Sequence, residues 1–288
     1  MATIRNPIEW SADQFREAAS HLASVGRSLG GTEASVDAPR PAIRRIEIAD
    51  LKEVLQRGFA DFGACRTDVI FLCLVYPVAG LVLARLAFGY EMLPLLFPIM
   101  SGFALLGPVA AVGLYEMSRR RELGETATWA DAFGMVRSPS FGSIVAMGLL
   151  LVGLFLLWLA AAQIIYTLTL GPEPPVSIAA FIGDVFLTGA GWAMIVIGMG
   201  VGFLFALLVL TISVVSFPML LDKDAGVGLA IWTSVHVVKA NPRTIAAWGL
   251  IVAGGLVLGS IPAFLGLIFV MPVLGHATWH LYRRTVER

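Results

Sequence analysis

The 288-residue chain carries 20 Lys+Arg and 20 Asp+Glu, so charged residues are 14% of it, against roughly 25% in an average soluble protein. Hydrophobic residues reach 58% and the mean hydropathy is +0.83, which argues against a soluble enzyme. The formal net charge is zero, so the charge balance gives no reason to expect nucleic acid as a partner.

The charges are unevenly spread. Residues 1–68 hold 9 Lys/Arg and 10 Asp/Glu, nearly half the total. Cys65 and Cys73 are too far apart for a CxxC motif and too few for a disulfide framework or a zinc site. The N-terminus lacks the uninterrupted apolar stretch of a secretory signal peptide, so the first span is expected to act as the insertion signal. The head, Met1 to about Arg40, reads as a weak amphipathic helix over about Ser11 to Val25 followed by a flexible GGTEASVDAPRP linker.

Six stretches approach the length of about 20 apolar residues that a membrane span needs. The first runs from about Val69 to Tyr90, and the second from about Met92 to Glu116, close enough to form a hairpin. The third covers Phe141 to Leu170 and ends at GPEPPVS, whose prolines remove backbone donors. Ile178 to Leu221 is 44 residues long, about 66 Å as one helix and too long for a single crossing. It is expected to divide into a short interfacial helix before Thr188 and a fourth span from about Gly191 to Phe217. The same arithmetic divides Thr244 to Tyr282 at Gly259-Ser260-Ile261-Pro262, giving a fifth span to Ser260 and a sixth over Ala263 to Tyr282.

Basic residues set the expected orientation. Arg119, Arg120, Arg121 and Arg137 follow span two, Lys223, Lys239 and Arg243 follow span four, and Arg283, Arg284 and Arg288 end the chain. By the positive-inside rule both termini and these loops are cytoplasmic. Arg85 is the exception, read either as snorkelling to the outer headgroups or as a partner for Glu91 or Asp184 over an outer cavity.

A similar short segment precedes spans one, three and five: LKEVLQRGFADFGACRTD, TWADAFGMVRSPSFG and GLAIWTSVHVVKANPRT. In the last two, Trp129 and Trp232 stand ten residues ahead of Pro139 and Pro242. Apolar residues at helical spacing, such as Val54, Leu55, Phe59 and Phe62, predict interfacial amphipathic helices, with Pro as a corner into the bilayer. The predicted fold is therefore an all-α membrane protein. Its six transmembrane helices form three hairpin-like units, each preceded by a short cytoplasmic interfacial helix.

The stretches SGFALLGPVAAVGLYEMSRRRE, SVVSFPMLLDKD with KANP, and PVLGHATWHLYRR together resemble a family of predicted bacterial integral membrane proteins, domain of unknown function 2189. Some of its members are labelled cytochrome c oxidase subunit I. The resemblance covers about Pro41 to Arg284. It implies a multi-pass protein of a bacterial inner membrane and supplies no catalytic residues.

The oxidase label calls for a test of the histidines. His276 and His280 are four apart, on one helical face near the cytoplasmic end of span six. With His236 they are candidate metal ligands; the competing reading is an interfacial belt with Trp279 and Tyr282. A haem-copper centre needs several histidines deep in the bilayer, and spans one to five contain none, so oxidase chemistry is rejected and no cofactor is assigned. Glu116, four residues before Arg120, is expected to form an ion pair on the helix surface. Gln163 and Thr167 are expected to bond to neighbouring helices. Gly198 and Gly202, and Gly255 and Gly259, leave room for close helix approach, within the bundle or in a homodimer. The expected partners are the lipid bilayer and a second copy or another membrane component. A non-enzymatic scaffold or membrane assembly or homeostasis factor is the leading reading, with a carrier of a small solute or lipid, or a metal- or haem-binding protein, as alternatives.

Overall fold

A computed structural model describes residues 40–73, 90–125 and 140–287. The head, most of the first span including Arg85, and the second interfacial segment with Trp129, Arg137 and Pro139 lie outside the described residues. What is described is helical, apart from an antiparallel bridge between Ile43 and Val286.

Helix α1 runs over Asp50–Cys73. The first interfacial segment is expected to be a separate helix, yet it continues without a corner into the start of the first apolar stretch. The physical reason is the missing proline: nothing in this copy removes a backbone donor. The buried stripe of α1 is Leu51, Val54, Gly58, Asp61 and Cys65, while Phe59, on the expected apolar face, is 60% exposed.

The second apolar stretch, Met92–Glu122, is a broken rod. A 3-10 turn at Tyr90–Leu95 leads into α2 (Leu96–Phe103), a 3-10 turn at Ala104–Leu106, α3 (Gly107–Ala110) and α4 (Val112–Glu122). Pro94, Pro98 and Pro108 each lack the N–H that a continuous helix uses. Trp158 Nε1 donates to the Pro98 carbonyl at 2.9 Å, tying the rod to a neighbouring helix. At the far end, Gly124 (φ +81°) follows α4, Glu125 N–H bonds to Arg120 O and Gly124 N–H to Arg121 O. This Schellman closure fixes three arginines at the negative end of the helix dipole.

Helix α5 (Phe141–Thr169) ends where Gly171 adopts φ +100°. Helix α6 (Ile178–Leu187) and α7 (Gly189–Ser213) divide at Thr188, as the length argument requires. Thr188 Oγ1 donates to Asp184 O at 2.6 Å and accepts from Gly191 N–H at 2.9 Å, so one hydroxyl ends α6 and caps α7. The expected span to Phe217 is instead interrupted at 214–215, and α8 (Ser216–Asp222) carries Pro218 in its first turn. Helix α9 (Val227–Ala240) covers the third segment expected to be interfacial, and Pro242 opens α10 (Pro242–Ser260). The break, expected at Gly259–Pro262, falls a little later, at Ile261–Gly266, where Ala263 and Phe264 take φ of 49° and 66°, and α11 starts at Leu267 (Leu267–Thr285) rather than at Ala263.

Among the described residues, four stretches are long and apolar enough to cross a membrane: Met92–Glu122, Phe141–Thr169, Gly189–Asp222 and Pro242–Ser260. Helix α11, expected as the sixth span, is not among them, because His276, His280, Arg283 and Arg284 dilute its apolar residues. The outer faces of α5, α7 and α10 carry Leu149, Leu156, Val196, Phe203, Leu250 and Val257, all exposed and separated by helical repeats. By contrast, Met117, Phe217, Leu220, Trp279, Leu281 and Tyr282 are almost wholly buried. The tightest core therefore sits at the charged end, where α4, α8 and α11 converge, and the long apolar helices leave their outer faces to a surrounding apolar phase.

Candidate functional site

Helices α1 and α11 pack antiparallel along much of their length. Arg284 Nη2 meets Asp50 Oδ1 at 2.6 Å at one end, and Phe62 meets Phe269 edge-on at 6.1 Å towards the other. Between them the backbones approach so closely that a Cβ on Gly58 would lie 2.7 Å from Ala277 Cβ and 2.8 Å from Val273 O. A glycine facing an alanine lets polar side chains from both helices meet directly.

The meeting point is Asp61, only 7% exposed. Its Oδ2 accepts from Ser118 Oγ at 2.6 Å and from His280 Nε2 at 2.9 Å, and its Oδ1 accepts from Arg121 at 2.7 Å. Ser118 Oγ in turn lies 2.8 Å from His276 Nδ1. Because Ser118 gives its proton to Asp61, His276 must be the donor of that second bond, which fixes the Nδ1–H tautomer. Its other nitrogen, Nε2, is buried with no hydrogen-bond partner among the described residues. Burial alone would raise the Asp61 pKa, but the hydrogen bonds from His280 and Ser118 outweigh it, so the carboxyl ionises below its usual range.

This arrangement is not that of a hydrolytic triad. Such a site needs the hydroxyl on one imidazole nitrogen and the carboxylate on the other, whereas here Ser118 stands between His276 and Asp61. Ser118 and His276 are also completely buried. The two expected imidazoles do come together, on one face of α11, but each spends a nitrogen within the cluster. His236 is on α9, where it stacks on Trp232 at 3.7 Å and bonds to the Trp232 carbonyl. Among the described residues no group of three or more His, Cys, Asp or Glu side chains is placed to hold a metal ion.

Glu116 accepts from Arg120 at 3.0 Å and also from Arg119 at 2.7 Å. It is buried, not on the helix surface as expected, and one carboxylate serves two guanidiniums. Gln163 is exposed, and Thr167 donates to the Gln163 carbonyl of its own helix at 2.9 Å. Neither reaches a neighbouring helix. A Cβ on Gly202 would meet the Trp158 ring at 3.1 Å, while Gly198 faces open space. Gly255 lies against Val270 and Leu274, and Gly259 against Leu267 and Gly266, so that pair accommodates α11 of the same chain.

Asp61 and Gly58 are missing from the sequence-derived candidates. A signal for them exists: with Leu51, Val54 and Cys65 they form a stripe at alternating spacings of three and four, an acid set into an apolar seam. A buried acid needs a partner, and α11 supplies it from 219 residues away.

Residues 96–222 match the model of a family described as Predicted integral membrane protein (DUF2189). This is the family that the motifs resemble. No curated protein and no solved structure matches the chain. The DUF2189 match begins with α2 and ends with α8. Ser118 and Arg121 lie inside it; Asp61, His276 and His280, which complete the cluster, lie outside.

Proposed function

We propose that the protein is a non-enzymatic scaffold of a bacterial inner membrane, with both termini cytoplasmic, serving membrane assembly or homeostasis. The observation that carries this reading is where the polar groups are spent. Asp61, Glu116, Glu122 and Asp222 all make charge-assisted bonds within the charged end of the molecule, while the apolar helices turn Leu, Val and Phe outward. A carrier would line a path with polar side chains, but Gln163 faces outward. Arg119, Arg121, Lys223, Arg283 and Arg284 gather at one end, which supports a cytoplasmic orientation for it. A buried network that draws on α1, α4 and α11 supplies rigidity and register, the properties a scaffold needs.

Reconstitution into sealed liposomes tests the reading. The scaffold predicts no saturable uptake of amino acids, sugars or ions and no accelerated lipid scrambling, together with a stable partner complex after cross-linking in native membranes. Saturable flux would replace it with the carrier reading. Labelling of a cysteine placed beside Glu173 only from the cytoplasmic side would reverse the orientation.

A further inference from the structure

A cavity of about 270 Å³ opens at the charged end between the last turns of α4, α8 and α11. Two carboxylates line it, and each already accepts from Arg283 and from one aromatic side chain. Glu122 accepts from Trp279 Nε1 at 3.0 Å and from Arg283 at 3.0 Å, and Asp222 accepts from the Tyr282 hydroxyl at 2.7 Å and from Arg283 at 3.2 Å. The basic wall is less committed. Lys223 donates to a neutral group, the Glu287 main-chain carbonyl, at 2.9 Å. Arg119 directs Nε and one terminal nitrogen to Glu116, which it shares with Arg120. The chemistry left for a ligand is therefore donation from cations, and it suits an anion with several acceptor oxygens.

Depth narrows the class. The cavity stands at the ends of two stretches long and apolar enough to cross a membrane, Met92–Glu122 and Gly189–Asp222, the level at which headgroups and tryptophans meet. Leu123, 58% exposed, adds an apolar rim to the lining beside the charged groups. We propose that this cavity binds the phosphate of a phospholipid headgroup, with Lys223 and Arg119 as donors and Arg283 holding the two carboxylates away from the anion. This assignment is independent of whether the protein is a scaffold.

The test uses full-length protein purified in a neutral maltoside detergent and titrated with short-chain phosphatidylglycerol. Retained lipid is read by native mass spectrometry and stabilisation by thermal unfolding. Wild type should saturate. Lys223→Gln and Arg119→Gln should each weaken half-saturation roughly five- to tenfold, and Lys223→Arg should restore most of it. Two variants in different segments of the chain guard against one that fails to fold. Inorganic phosphate at the same concentrations should give no comparable stabilisation; if it matches the lipid, the lipid assignment is overturned in favour of a free phosphate ligand. Binding that is absent, or indifferent to both substitutions, overturns the site.

Discussion

His280 Nε2 lies 2.9 Å from Asp61 Oδ2 although 219 residues separate them in the chain. No local spacing produces such a contact; it exists because α1 and α11 are pressed together at Gly58 and Ala277. Asp61→Asn keeps the shape but removes the charge that Arg121, Ser118 and His280 all address. We expect a loss of about 1–3 kcal/mol in unfolding from mixed micelles, the cost of leaving buried donors poorly matched. His280→Gln, which retains a donor, should cost less. Equal losses for the two would mean that the charge of Asp61 contributes nothing.

Acid should act through the same carboxylate. Since the folded-state pKa of Asp61 is lowered, its contribution is fully present above the unfolded value of about 3.9 and is lost as pH falls through the folded value. Asp50, lowered by the Glu47 main-chain N–H and by Arg284, behaves likewise. Unfolding measured from pH 8 downward should show the Asp61 contribution constant to about pH 4 and declining only below it. Wild type and Asp61→Asn should converge in that acid range; convergence already between pH 7 and 5 would assign the effect to another group.

Glycines of similar appearance should respond in opposite ways. Gly58→Ala places a methyl against the α11 backbone, where nothing can rotate aside, and should cost about 1–3 kcal/mol. Gly198→Ala meets nothing and should be neutral or slightly stabilising, by about 0.5–1 kcal/mol from helix propensity. Parallel thermal unfolding of the two variants decides this, and a larger loss at Gly198 would signal a contact from another chain.

Trp158 fills the space left by two glycines. Its ring faces Gly102 of α2 and Gly202 of α7, and its N–H reaches Pro98 O. Trp158→Phe should therefore lower stability by about 1–3 kcal/mol through lost volume and the loss of the indole donor to Pro98. Gly202→Ala, harmful in the wild-type background, should become mild once Trp158→Phe has removed the larger ring. A double-mutant cycle measures the coupling, and strict additivity would separate the two sites.

Helix ends are legible wherever a local chemical reason sets them. Thr188 divides α6 from α7, Gly171 follows α5, and Pro242 opens α10, each through a hydroxyl, a positive φ or a missing donor confined to a few residues. The first corner is misleading because α1 has the amphipathic pattern of its sister segments without their proline. The buried cluster is only half legible. His276 and His280 stand out by their spacing, but Asp61 sits among Arg57 and Arg66 in what reads as a solvated face. Its burial depends on a rotation of α1 of roughly one residue from the face that the large side chains suggest. Glu116 misleads for a related reason: a spacing of four predicts an ion pair but not whether a core closes over it.

The bridge between Ile43 and Val286 has a counting consequence. Arg44 N–H bonds to Thr285 O at 2.8 Å and Glu287 N–H to Ala42 O at 3.0 Å, so both ends of the described chain are tied at one place. A path that leaves one side of a bilayer and returns to it crosses an even number of times. If the four long apolar stretches each cross once, the remaining crossings between residues 43 and 286 must also come in pairs. Helix α11 therefore cannot cross alone: were it to traverse the bilayer, one more crossing elsewhere between residues 43 and 286 would have to accompany it.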